Sequence, residues 1–158
     1  MTSYKHTQIG YLILAVTLAV LVLFVWVYSI ALAEPPSIDS GPNFLVSFVM
    51  VLILFILLSF STLTVSIDEN YLRVKFGYGI FTKKFALGEI EKVQVVKNHW
   101  YYGWGIHLWL WPKMWIYNVS GFDAVEVTLK NEKVYRIGTD APQELASAVK
   151  QSNLTISS

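Results

Sequence analysis

GYLILAVTLAVLVLFVWVYSIALA, residues 10–33, holds 24 positions without a charged side chain. At ~1.5 Å of rise per helical residue it reaches roughly 36 Å, more than the ~30 Å of hydrocarbon in a bilayer. A second uncharged apolar run, residues 41–67, follows after a short polar connector. Together they read as a membrane α-helical hairpin, with helices at about 10–33 and 43–63, inside an N-terminal membrane region 1–67. Neither run contains an ionisable residue, the usual mark of an ion or proton route, so the pair reads as an anchor. Tyr11, Trp26 and Tyr28 stand where interfacial aromatic belts are expected.

The charges are segregated. Of 23 Lys, Arg, Asp and Glu residues, only Lys5, Glu34 and Asp39 precede Asp68. Residues 68–158 hold 11 basic and 9 acidic side chains, a balance that gives no reason to expect nucleic acid. That segment is the size of one small domain. With no cysteine in the chain, a disulfide framework, a thiolate zinc site and a cysteine nucleophile are all excluded.

Ala31-Leu32-Ala33 before Glu34 has the small-x-small form of a signal-peptidase site. The apolar run ahead of it exceeds the ~7–15 residues of a secretory core, which favours an uncleaved anchor. The connector Glu34 to Asn43 has two acids and no base, whereas Lys5 precedes the first helix and Arg73, Lys75, Lys83 and Lys84 follow the second. The positive-inside bias then expects a multi-pass protein of the cell inner membrane with both termini cytoplasmic.

Beyond the second helix the pattern changes to alternation, the signature of half-buried strands. Leu63, Val65 and Ile67 alternate with threonine and serine, and Leu72, Val74 and Phe76 repeat the pattern after a turn at 68–70. Strands are expected at 80–85 and 90–97, and a hairpin at 125–137 turns at Asn131-Glu132. A C-terminal helix at about 141–151 is expected, with Asp140 at its cap, Gln143 at the capping-box position and a frayed tail beyond.

Four short stretches in order, Tyr102-Gly103-Trp104-Gly105-Ile106, Ile116 to Gly121, Ala124 to Val127, and Ile137-Gly138-Thr139-Asp140 with Pro142 and Leu145, resemble the bacterial PH-like domain proteins. These are membrane-attached modules mostly of unknown function. The resemblance covers about 45 residues and implies an antiparallel PH-like barrel or sandwich capped by one C-terminal helix, over residues 68–158. It does not imply phosphoinositide binding.

Residues 100–117 hold five of the six tryptophans. Read with period two, His107, Trp109, Trp111, Lys113, Trp115 and Tyr117 share one side, and Ile106, Leu108, Leu110, Met114 and Ile116 the other. Pro112 breaks the run, so two short strands or a loop with a bend suit it better than one straight strand. The aromatic face, with Trp104, reads as a contact surface for the cytoplasmic headgroup layer or for a membrane-protein partner or second copy. The competing reading is that the rings fill a small barrel and its rim.

No catalytic motif is present. His99 and His107 lack a metal-ligand spacing, Gly103-Trp104-Gly105 lacks the third glycine of a dinucleotide site, and no paired nucleophile or His-Glu-x-x-His stretch occurs. The sequence therefore points to a non-enzymatic interaction, scaffolding or assembly module without cofactor or metal. The alternative is a lipid-headgroup-binding domain that uses the Trp/Lys surface.

Overall fold

A computed structural model describes residues 4–33 and 44–157. The connector 34–43, on which the expected orientation partly rests, lies outside the described residues.

Helix α1, Tyr11–Ala33, is long and apolar enough to cross a membrane. Helix α2, Phe44–Ser59, has 16 residues and reaches only ~24 Å. It ends earlier than the expected 63 because Phe60 and Ser61 turn the chain into a strand. The two helices lie side by side and antiparallel. Tyr28 and Leu32 share a groove with Ser47 and Met50, while at the opposite end the Gly10 N–H donates to the Ser61 carbonyl at 2.7 Å.

The rest is mainly β, in two sheets. Sheet A runs β1 (Tyr4–Ile9), β2 (Thr62–Ile67), β3 (Tyr71–Phe76) and β4 (Thr82–Ala86), each antiparallel to the next. β1 is a strand that the alternation does not announce: the segment before α1 pairs with the segment after α2, Tyr4 opposite Ile67 and Ile9 opposite Thr62. β4 starts two residues later than expected. Gly77 to Phe81 form a longer turn, in which the Phe76 N–H donates to the Phe81 carbonyl at 2.9 Å.

Sheet B contains β5 (Ile90–Lys97), β6 (Gly105–Leu110), β7 (Lys113–Asn118), β8 (Asp123–Leu129) and β9 (Val134–Gly138), in the order β5-β8-β9-β7-β6. The expected all-antiparallel arrangement fails at one place, because β7 and β9 are parallel. β9 returns as a hairpin from β8 and slots between β8 and β7, so running against one means running with the other.

One core fills the space between the sheets. Leu63, Val65, Ile67, Leu72, Val74 and Phe76 of sheet A meet Tyr117, Val125, Val127, Tyr135 and Ile137 of sheet B. Helix α3, Pro142–Ser157, closes the core with Leu145, Ala146 and Val149. It outlasts the expected end at 151 because the Asn153 amide donates to the Ile90 carbonyl at 2.9 Å and ties the last turns to β5. Its start is held by Thr139, whose Oγ1 accepts from the Ala141 N–H at 3.1 Å, while Asp140 pairs with His6 of β1.

The helices join the sheets without slack. Gly10 has no room for a side chain, since a Cβ would stand 3.0 Å from the Val119 carbonyl oxygen and 3.1 Å from that of Ser61. Gly77, at φ +42°, turns directly beneath Ser59, and a Cβ there would collide with the Ser59 backbone. Phe60 stacks on Phe81 at 5.1 Å between centroids and meets Phe76 at 5.5 Å, and Phe55 stacks on Tyr78 at 6.0 Å. The end of α2 is thereby fixed to the β3–β4 turn.

Candidate functional site

β6 and β7 form a hairpin whose turn has two residues, Trp111 and Pro112. The register puts Leu110 opposite Lys113, Leu108 opposite Trp115 and Ile106 opposite Tyr117. An even-numbered residue of β6 therefore shares a face with an odd-numbered residue of β7. The expected single aromatic face is divided in two: Lys113, Trp115 and Tyr117 lie on the core side with Ile106, Leu108 and Leu110, and His107 and Trp109 lie on the outer side with Met114 and Ile116. Trp111 belongs to neither, being 90% exposed at the tip.

On the core side, exposure rises along the hairpin. Tyr117 is buried, Trp115 and Leu108 are 39% and 38% exposed, and Leu110 is 74% exposed. Burial and the neighbouring Tyr135 push the Tyr117 phenol up to about 12, so it stays a neutral hydroxyl donor. The filled-barrel reading thus holds for Tyr117, whereas the exposed residues of the hairpin form an apolar patch with Lys113 at its edge.

The outer face carries a second cluster. Register aligns His107, Ile116, Arg136, Glu126 and Gln94 in one row across the five strands. Glu126 accepts from Arg136 Nε at 2.8 Å and from Gln94 Nε2 at 2.6 Å. A single turn of 3₁₀ helix, Trp100–Tyr102, folds over this row and sets the Tyr102 ring 5.6 Å from the Arg136 guanidinium. Tyr102, Trp109, Met114 and Ile116 pack together there, with Tyr101 and His99 against the Tyr102 ring. Trp104 is exposed just before Gly105, which pairs with Asn118. The polar row was not anticipated from sequence: Gln94, Glu126 and Arg136 are far apart in the chain, and only strand register brings them together.

His107 Nε2 is buried without a hydrogen-bond partner among the described residues. Burial pushes its pKa below the ordinary 6.5, against a smaller opposing effect of a hydrogen bond to the Tyr102 backbone. In the interval just below 6.5 the unfolded chain binds the proton and the folded chain does not. His107 therefore contributes stability that is complete above that interval and lost as pH falls through it. The thermal midpoint of the wild type is expected to fall from pH 7 to 5 more steeply than that of His107→Gln; equal slopes would contradict this.

The hairpin tip stands away from α1 and α2. Gln8 Nε2 donates to the Ser120 carbonyl at 3.0 Å and Val119 abuts Gly10, so the chain leaving β7 marks the helix-side end of sheet B. From Lys113 to Val119 the strand rise of ~3.3 Å per residue carries the tip roughly 20 Å along β7 from that end.

Among the described residues no group of three or more metal-ligating side chains occurs. No protein-family model, curated protein or solved structure matches the chain. The class defined by the structure is a mainly β domain with a C-terminal helix, fused to an apolar helix long enough to span a bilayer.

Proposed function

We propose that this chain is a non-catalytic, membrane-anchored PH-like module that serves as an interaction, scaffolding or assembly subunit at the cytoplasmic surface of the cell inner membrane. The support for a hairpin anchor is topological. β1 precedes α1, β2 follows α2, and the two strands are hydrogen-bonded neighbours, so both lie on one side of whatever α1 crosses. A chain that crosses through α1 must then come back, and α2 with the residues before it is the segment available to do so. The fusion of both helices to sheet A holds the domain at the bilayer surface with little freedom to tumble.

The observation that carries the interaction reading is the exposed tip of the β6–β7 hairpin. Leu108, Leu110, Trp111 and Trp115 form an apolar patch that lies about 13 to 20 Å along the strands from the helix-side end, which suits a protein surface better than the bilayer. Exposed tryptophan is the side chain most often found to dominate an interface, at ~2 kcal/mol or more per anchor, about 30-fold in affinity. Leu110→Ala/Trp111→Ala should leave the fold intact, since these side chains bury little. On a native gel of gently solubilised membranes the wild type is expected to migrate in a complex and the double variant as the free chain. Identical migration of the two would remove the tip from the function. A lipid-headgroup reading is favoured by a different observation, away from the Trp/Lys surface: the ammonium of Lys83 at the open edge of β4, about 6 Å from the Phe85 and Tyr135 rings.

A further inference from the structure

One corner of the sandwich is open. β4 ends sheet A and β6 ends sheet B, and no strand pairing joins them. Between them lies a cleft of about 210 Å³, with Phe76, Ile80, Phe81 and Lys83 on one side and Ile106 and Tyr117 on the other.

Lys83 decides what the cleft can hold. It stands opposite the buried Val74 and alternates with the buried Phe85, so its side chain leaves β4 on the core-side face, at the open edge where the residue stays exposed to solvent. Its Nζ lies 6.0 Å from the centroid of the Phe85 ring and 5.9 Å from that of Tyr135. Among the described residues no carboxylate pairs with it. An inward lysine on an edge strand can serve simply to block pairing with another chain. Lys84, on the opposite face beside Arg73, already gives β4 a blocking charge, and blocking does not call for an apolar cleft that Lys83 lines together with Tyr117.

The position of the cleft names the source of the ligand. Its lip is the β3–β4 turn, where Phe81 stacks on Phe60 and Tyr78 stacks on Phe55 of α2. A helix that enters a bilayer meets the headgroups at this level. We infer that the cleft receives the headgroup end of an anionic bilayer phospholipid, its phosphate at Lys83 and its glycerol and first methylenes against Phe81, Ile80 and Ile106. The volume is below the ~300–1,000 Å³ of sites that enclose a whole drug-sized ligand, which suits a headgroup whose acyl chains stay in the membrane. This inference rests on the membrane reading and is independent of the hairpin tip.

The test uses the full chain in non-ionic detergent micelles, titrated with dioleoyl-phosphatidylglycerol or dioleoyl-phosphatidylcholine and read by native mass spectrometry. The wild type is expected to retain the anionic lipid about fivefold better, the worth of one lysine near an anionic surface. Lys83→Met is expected to abolish that preference and Lys84→Met to leave it. A preference that survives Lys83→Met, or that Lys84→Met removes equally, overturns the site. Competition by soluble glycerol 1-phosphate at the same concentration as the lipid would assign the cleft to a free phosphate ester and overturn the lipid source. Carbonate extraction reads anchoring separately, so a chain that stays in the membrane without lipid preference refutes the cleft alone.

Discussion

Phe76→Ala is expected to lower the unfolding free energy by about 3–5 kcal/mol, a large part of the ~5–15 kcal/mol that a domain has. Phe76 is 1% exposed and takes part in a run of rings that crosses the molecule. Phe81 stacks on Phe60, Phe60 meets Phe76, Phe76 lies 6.2 Å from Tyr117, Tyr117 lies 6.3 Å from Tyr135, and Tyr135 meets Phe85 at 4.7 Å. The run begins at the end of α2 and finishes between the sheets, so deleting its middle ring loosens the sandwich and the seat of the helix together. Collapse around the cavity is opposed by two sheets and by the fixed helix end, which argues for the upper part of the range. Phe76→Leu, which keeps most of the volume, should cost less than half as much. Thermal unfolding in micelles followed by near-ultraviolet circular dichroism distinguishes the two; a loss below about 1.5 kcal/mol for the alanine variant would mean that the ring run is not a unit.

Much of this architecture can be read from period and composition. β2 and β3 announce themselves because Leu63, Val65, Ile67, Leu72, Val74 and Phe76 are apolar on one face and their neighbours are not, and that face is the core. β5, β8 and β9 are legible for the same reason. β1 is not, because the side chains it turns inward are Tyr4, His6 and Gln8, and an inward face made of polar groups leaves no apolar period to detect. Gln8 is buried by virtue of its bond to Ser120, a partner 112 residues away. α3 was expected too short for a similar reason, since Asn153 and Ile90 must be brought together before the last turns gain their support.

The aromatic segment shows the limit most clearly. Of the two arrangements that Pro112 allows, a loop with a bend and two short strands, the chain adopts the strands. A period-two count holds only within each strand, because a two-residue turn exchanges the parity of the faces. Trp109 thereby packs on Tyr102, and Leu108 and Leu110 become the exposed partners of Trp115 and Lys113. Alternation tells which residues of one strand share a face, but the turn decides which residues of the next strand join them. Lys83 illustrates the same point in a single residue: it stays exposed as a charged edge residue should, and only the pairing with Val74 puts it on the core-side face, near the Phe85 and Tyr135 rings.

Arg136→Met should cost about 3–5 kcal/mol, a penalty of the size found when one member of a buried ion pair is removed. The pair is enclosed, with side-chain exposures of 15% for Arg136 and 13% for Glu126. Both carboxylate oxygens of Glu126 are used, one by Arg136 and one by Gln94. Without the guanidinium the carboxylate stays largely enclosed with a single neutral donor, and the Tyr102 ring loses the cation beneath it. The magnitude is mainly the cost of an uncompensated charge rather than the worth of the pair, and a second substitution separates the two. Arg136→Met/Glu126→Leu replaces both groups by apolar ones of similar reach and should return most of the loss, leaving about 1 kcal/mol or less. Amide exchange adds a local reading, because the turn Trp100–Tyr102 is held over the sheet partly by this cation. Exchange in residues 98–104 should quicken in both variants, whereas global stability drops only in the single one. If the double variant is as unstable as Arg136→Met, the row acts through shape alone and its charge is incidental; if exchange in 98–104 is unchanged, the aromatic turn is seated by Met114 and Ile116 without help from Arg136.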